Sequence, residues 1–278
     1  MLNSLFLSLK NNLAQRNKVI QPNNERIRYC VLIALLVLLI AAGIAFFFGY
    51  RAGFHFLNDR HAILPDNAWI LITFLGDTSL VLAVLVLFLR RYPHLVYVSV
   101  LSGIYAGIFN NIIKYSVDAL RPGGVFDTVD YYAIGPTYVA HSFPSGHTTS
   151  AFVVAFLMLL YGRNRWLTMA VFAVALLVGL SRVMVGIHWP VDVLAGIASA
   201  ALMTSLAMYS TRWLTFGIKP YGHLSVLILL LGVAMSLWWH DGGYTAIAGF
   251  AKSVAIIVPL VLAWQYIYIP YKEWLKNK

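Results

Sequence analysis

Residues 29–50 read YCVLIALLVLLIAAGIAFFFGY, 22 positions without one charged side chain. As an α-helix this stretch is about 33 Å long, enough to cross the hydrocarbon core of a bilayer. It has no polar stripe, as a helix on the surface of a soluble protein would. No small-residue cleavage site follows it, so an uncleaved membrane anchor is expected rather than a signal peptide.

Seven more apolar runs follow: Ala68–Leu89, His94–Ile113, His147–Leu160, Trp166–Gly186, Val191–Tyr209, Leu224–Trp239 and Tyr244–Ile269. The fourth is short. Across 278 residues 60% are apolar and only 11% charged, with mean hydropathy +0.77. A soluble domain carries about 25% charged residues. The expected fold is therefore all-α, a polytopic transmembrane helix bundle of eight spans. The net charge of +10 does not point to nucleic acid, because the basic residues stand between apolar runs. The single Cys30 excludes a disulfide framework and a cysteine metal cluster.

Charge placement orients the bundle. With eight spans, both termini and the even-numbered connections share one side. That side holds Lys10, Arg16, Lys18, Arg26, Arg28, Arg90, Arg91, Arg163, Arg165, Arg212, Lys219, Lys272, Lys276 and Lys278, which is 14 of the 20 basic residues. By the positive-inside rule it is cytoplasmic. The remaining six are Arg51, Arg60, Lys114, Arg121, Arg182 and Lys252, and their position on the outer side calls for another reason. At the amino end Leu2, Leu5, Phe6, Leu9 and Leu13 follow helical spacing. A helix lying on the cytoplasmic leaflet and a frayed tail are equally compatible with it.

Three polar clusters fall on the outer side. Lys114 and Arg121 are two helical turns apart and can share a face, and Pro122 ends that helix. Pro144-Ser145-Gly146-His147 opens the fourth span, where free helix amides suit an anion. Ser181-Arg182, His188 and Asp192 bridge spans five and six; His188 and Asp192 stand at i, i+4, so one carboxylate can hold one imidazole. Cations, two histidines and one carboxylate suit a phosphate: the cations neutralise its oxygens, one histidine can attack phosphorus, and the other can supply a proton. No clustered metal motif accompanies them.

The pattern Lys-x6-Arg-Pro, Pro-Ser-Gly-His, Ser-Arg-x5-His-x3-Asp resembles that of the type-2 phosphatidic-acid phosphatase family. It is matched in order at Lys114, Arg121, Pro122, Pro144, Ser145, Gly146, His147, Ser181, Arg182, His188 and Asp192. The resemblance runs from about Ala68 to Tyr209. It implies that His188 is the nucleophile and forms a phosphohistidine. Asp192 would orient His188, and His147 would protonate the leaving oxygen and then activate water. Lys114, Arg121, Arg182, Ser145 and the Gly146 amide would bind phosphoryl oxygens, with neither metal nor cofactor. It also divides the chain into a segment 1–28, a six-helix phosphatase core 29–210, and two additional spans within 211–278.

The expected substrate is a lipid carrying a phosphate or diphosphate: an isoprenyl diphosphate, phosphatidylglycerol phosphate, phosphatidic acid or lipid A phosphate. Its tail would stay in an inner (cytoplasmic) membrane while its phosphate meets the cations. The motifs do not separate water from a second lipid as acceptor, which would make a phosphotransferase. A transporter would carry charges mid-span, whereas Asp77 is the one ionisable residue well inside a run. Elsewhere the blander readings hold. His55, His61, His94, His223 and His240 are expected to be hydrated interfacial residues, Tyr29, Tyr50, Trp238, Trp239 and Trp274 an interfacial belt. Asp118 is expected to pair with Lys114, Asp77 to bond a neighbouring helix, and Lys252 to snorkel. Asp127 and Asp130 would contact a headgroup or simply be solvated, and His141 stands close enough to Pro144 to be watched.

Overall fold

The structure, a computed structural model, describes residues 10, 13, 24–127 and 129–276. Among these, regular structure is helical throughout: α1 (Asn24–Phe48), α2 (Phe54–Asn58), α3 (Asp66–Phe74), α4 (Thr78–Val86), α5 (Pro93–Val117), α6 (Gly146–Tyr161), α7 (Arg165–Met184), α8 (Pro190–Ser210), α9 (Pro220–Ser236), α10 (Ala248–Ala263) and α11 (Ile269–Lys276). Five helical stretches are long and apolar enough to cross a membrane, and α3 with α4 makes a bent sixth. The apolar helices α6 and α9 are shorter, 16 and 17 residues. The chain is a multi-pass membrane protein. The expected helix over the first 28 residues lies almost wholly outside the described ones, which there are only Lys10, Leu13 and Asn24 to Arg28, the last five beginning α1.

Helix α8 is the centre of the bundle, with α1, α5 and α6 packed on it. Its buried faces are small: Ala195, Gly196, Ala198, Ser199, Ala200 and Ala201. In lipid, where apolar burial between helices gains little, small residues let backbones approach and dispersion hold them. The far side of α1 stays uncovered at Leu32, Leu35, Leu36, Leu39 and Phe46 to Phe48, as a lipid-facing helix requires. Helix α9 packs on α4 and on α10, so the last two spans lean on the second run of the sequence.

That second run is not one continuous span. It breaks between Phe74 and Thr78 into α3 and α4, bent by 59°. The cause is local. The Asp77 side chain accepts from the backbone amides of Ser79 (2.8 Å) and Leu80 (3.3 Å), starting a new helix. At Gly76 a Cβ would lie 2.5 Å from the Val178 side chain and 2.8 Å from the His147 carbonyl. Only glycine lets the break press against the start of α6.

The basic ends of the helices gather at the opposite end of the bundle. Arg26 donates to the carbonyls of Leu159 (3.2 Å), Leu160 (3.0 Å) and Gly162 (3.2 Å), satisfying acceptors that the end of α6 leaves open. Arg212 donates to Asn24, and Arg90 to the carbonyl of Gln265. Two histidines read as hydrated are in fact buried there: His94 bonds the Tyr161 hydroxyl at 2.6 Å, and His223 the Tyr266 hydroxyl at 2.8 Å. A phenol replaces the water that each imidazole loses.

Candidate active site

The link between α7 and α8 places His188 one turn before Asp192. His188 Nδ1 lies 3.1 Å from Asp192 Oδ2, and both side chains are buried. The same oxygen accepts the Trp189 backbone amide at 3.0 Å, which ties the start of α8 to the histidine. Asp192 accepts two hydroxyls as well, Ser142 on Oδ2 and Tyr50 on Oδ1. An acceptor surrounded by donors is an ionised carboxylate, so Nδ1 of His188 carries the proton. Nε2 then presents its lone pair toward Arg121, whose Nη1 is 3.3 Å away.

Neither hydroxyl partner was visible in the sequence. Tyr50, read as a member of the interfacial belt, instead reaches Asp192 across 142 residues of chain. Burial beside that carboxylate raises its phenol, which stays protonated and donates. Ser142 stands two residues before Pro144, and its distance from the motif was the one available hint.

The cations converge around Nε2. Arg121 is held by the carbonyls of Ala140 (2.9 Å), Ile187 (3.2 Å) and His141 (3.3 Å), with its guanidinium 5.2 Å from the Tyr138 ring centre. Lys114, at the end of α5, donates to the His141 carbonyl at 3.2 Å. Arg182, at the end of α7, donates to Thr73 in α3, and the buried Tyr244 hydroxyl stands beside its guanidinium. Three cations against one carboxylate leave the pocket positive, as binding a phosphate dianion requires.

His147 stands in the first turn of α6, half-buried, behind Gly76. Ser145, expected among the phosphate donors, is engaged with its own helix. Its hydroxyl is fully buried and caps α6, accepting from Thr148 Oγ1 at 2.9 Å and from the Thr148 amide. The first amides of α6, Gly146 among them, are the further donors at this helix start. Asp118 pairs with His141 (3.1 Å) rather than with Lys114, because its left-handed cap at φ 44° turns it away from the preceding helix. Asp127 and Asp130 are exposed. Asp77 does meet another element, though a loop and not a helix: its Oδ2 lies 2.9 Å from Nε2 of His240, in the α9–α10 connection. Lys252 lies over the Trp238 ring, 5.7 Å from its centre. Among the described residues no three His, Cys, Asp or Glu side chains converge on a metal site.

Burial, with Arg121, Arg182 and Lys114 around it, holds His188 well below the usual histidine range. Its imidazole is therefore neutral at neutral pH, the form with a lone pair to share. A depressed value means that activity is present above it and lost as pH falls through it. The acid limb of kcat/KM is accordingly expected below the unperturbed histidine value of about 6.5. An acid limb at or above that pH would contradict the arrangement.

A helical membrane bundle with a cationic, histidine-bearing pocket at one end is a recognised class of membrane protein. The chain belongs to the PAP2 superfamily, whose family model matches residues 94–216. Undecaprenyl-diphosphatase BcrC of Bacillus subtilis is 30% identical over 153 residues, 54% of this chain and 76% of that protein. A lipid A 1-phosphatase of Rhizobium etli is 35% identical over 126 residues, 43% of this chain; the chain spans only about half of that relative, 52%. The solved PAP2 type phosphatidylglycerolphosphate phosphatase of Bacillus subtilis shares the fold, with TM-score 0.53 at 22% identity over 67% of this chain and 98% of that one.

Proposed function

We propose that the protein is a membrane phosphatase that removes phosphate from a lipid phosphate or diphosphate, at the extracytoplasmic face of an inner membrane, through a phosphohistidine at His188. The observation that carries this reading is the setting of His188: Nδ1 lies at hydrogen-bond distance from Asp192, and Nε2 faces the Arg121 guanidinium, from which it accepts. Nε2 attacks phosphorus, and the bond to the leaving oxygen breaks as His147 gives that oxygen a proton. His147 then takes a proton from water, the water oxygen attacks phosphorus, and the P–N bond breaks to release inorganic phosphate. Lys114, Arg121, Arg182 and the first amides of α6 neutralise the equatorial oxygens. Both termini are assigned to the cytoplasm on the distribution of basic residues.

A groove of about 180 Å³ between α4, α5 and α6 supports a lipid substrate. Its lining includes Lys114 and Gly146 and extends along α5 to Ser99, about 22 Å of helix. Leu82, Leu85 and Val153 line it, and around Gly103 and Gly107 no atom stands within 4 Å of an added Cβ. An apolar channel starting at the cations suits the first part of a lipid tail. Gly107→Phe is expected to lower kcat/KM at least about tenfold more on a long-chain substrate than on a short-chain one. Losing the burial of two methylenes suffices for that. Equal losses on both would remove the groove from substrate binding.

The reading is tested by phosphate release from purified protein across an isoprenyl diphosphate, phosphatidylglycerol phosphate, phosphatidic acid and lipid A. Release from at least one, unchanged by a metal chelator, is expected. No release from any, or release that a chelator stops, would argue against it.

A further inference from the structure

The family match ends at residue 216, yet the connection between α9 and α10 is built into the pocket. His240 Nε2 bonds Asp77, the residue that breaks the second span beside His147. Tyr244 is buried against the Arg182 guanidinium, and its ring fills the space a side chain would need at Gly135, where φ is 82°. A Cβ on Gly243 would lie 3.7 Å from the hydroxyl of Tyr138, whose ring covers Arg121. These contacts place one short loop against Arg182, and one intervening residue away from His147 and from Arg121.

Three polar groups on this side have unspent capacity. The Arg182 guanidinium and Tyr244 hydroxyl are buried and interact with each other, with no further partner for Nε or the hydroxyl within the protein. The His240 side chain is 45% exposed, and its Nε2 is committed to Asp77, which leaves Nδ1 directed elsewhere. A phosphoryl group in transfer has three equatorial oxygens, and Lys114, Arg121 and the α6 amides already offer donors to them. Donors gathered beside His147, which serves the leaving oxygen, are in surplus for the scissile phosphate alone.

Resting on the phosphatase reading above, we infer that His240, held by Asp77, is a specificity-determining residue that contacts the leaving group. With Tyr244, which stands beside Arg182, it forms a subsite for a leaving group rich in acceptor oxygens, the departing phosphate of a lipid diphosphate. The two C-terminal spans carry this subsite into place. Asp77 acts through His240 and is a positioning residue.

The test compares farnesyl diphosphate with farnesyl monophosphate, which share a tail and differ in the leaving group, on the purified full-length chain. Wild type is expected to prefer the diphosphate. In His240→Ala kcat/KM is expected to fall at least about tenfold more on the diphosphate than on the monophosphate, mostly through KM. Asp77→Asn, which keeps a cap and an acceptor for His240, is expected to lose less of the preference. Equal losses on both substrates would assign His240 a merely structural role and overturn the inference. So would no loss, or a wild type without preference. His188→Ala runs alongside: a wild type that turns over neither farnesyl substrate overturns the subsite, and the phosphatase reading falls with it only if no other lipid phosphate is turned over either. If His188→Ala abolishes a turnover that His240→Ala leaves indifferent to the leaving group, only the subsite falls.

Discussion

His188→Ala is expected to lower phosphate release by at least about a thousandfold, the scale on which catalysis is lost when a nucleophile is removed. The geometry leaves no substitute. The other imidazole of the pocket, His147, lies behind Gly76, and among the described residues it forms no ion pair with a carboxylate, whereas His188 does. Without a nucleophile the cations still bind phosphate, so the variant should keep an affinity for phosphate analogues near that of wild type. Alanine at a buried imidazole leaves a cavity, and His188→Asn supplies a polar, smaller replacement that separates loss of chemistry from loss of fold. Activity within tenfold of wild type in a folded variant of either kind would remove His188 from the reaction.

The second large effect is expected at Asp192. In Asp192→Asn one oxygen becomes a donor, although the carboxylate receives His188 Nδ1, the Trp189 amide, Ser142 and Tyr50. The amide must place its oxygen where three donors meet and turn its NH₂ to Tyr50, whose hydroxyl can accept. The fold survives that exchange. What is lost is the negative charge that offsets the imidazolium formed when Nε2 bonds phosphorus. A fall in kcat of about 10² to 10⁴ is expected, with KM little changed. Steady-state kinetics on protein of wild-type helicity measures it, and a kcat within about fivefold of wild type would show that the carboxylate is a helix cap only.

How far the molecule could be read from its residues varies with the range of the interaction. Each apolar run became a helical segment because length and hydropathy alone decide what can cross a bilayer. The break in the second run was missed because an uninterrupted apolar average hides a local cap. The order Gly76-Asp77-Thr78-Ser79 is nevertheless a helix start in the middle of a span. His188 and Asp192, four residues apart in chain, were legible as a pair, since helical geometry brings such neighbours together. Tyr50 and Ser142 were not, because the path of the loops that carry them is set by tertiary packing. Asp118 was assigned to the wrong partner for a related reason: a residue at φ 44° leaves the helical register on which the assignment to Lys114 relied. His240 looked like a surface histidine until the packing of α9 on α4 brought it to Asp77.

The central claim is a covalent phosphohistidine at His188, and trapping it is the most direct measurement. Purified protein is mixed with a radiolabelled lipid phosphate, quenched in alkali within milliseconds, digested and mapped by mass spectrometry. The expected result is an acid-labile, alkali-stable phosphate on the peptide containing His188, absent from His188→Ala and chased by water. Rapid phosphate release from a protein that never carries label there, or label on a different residue, would contradict the account.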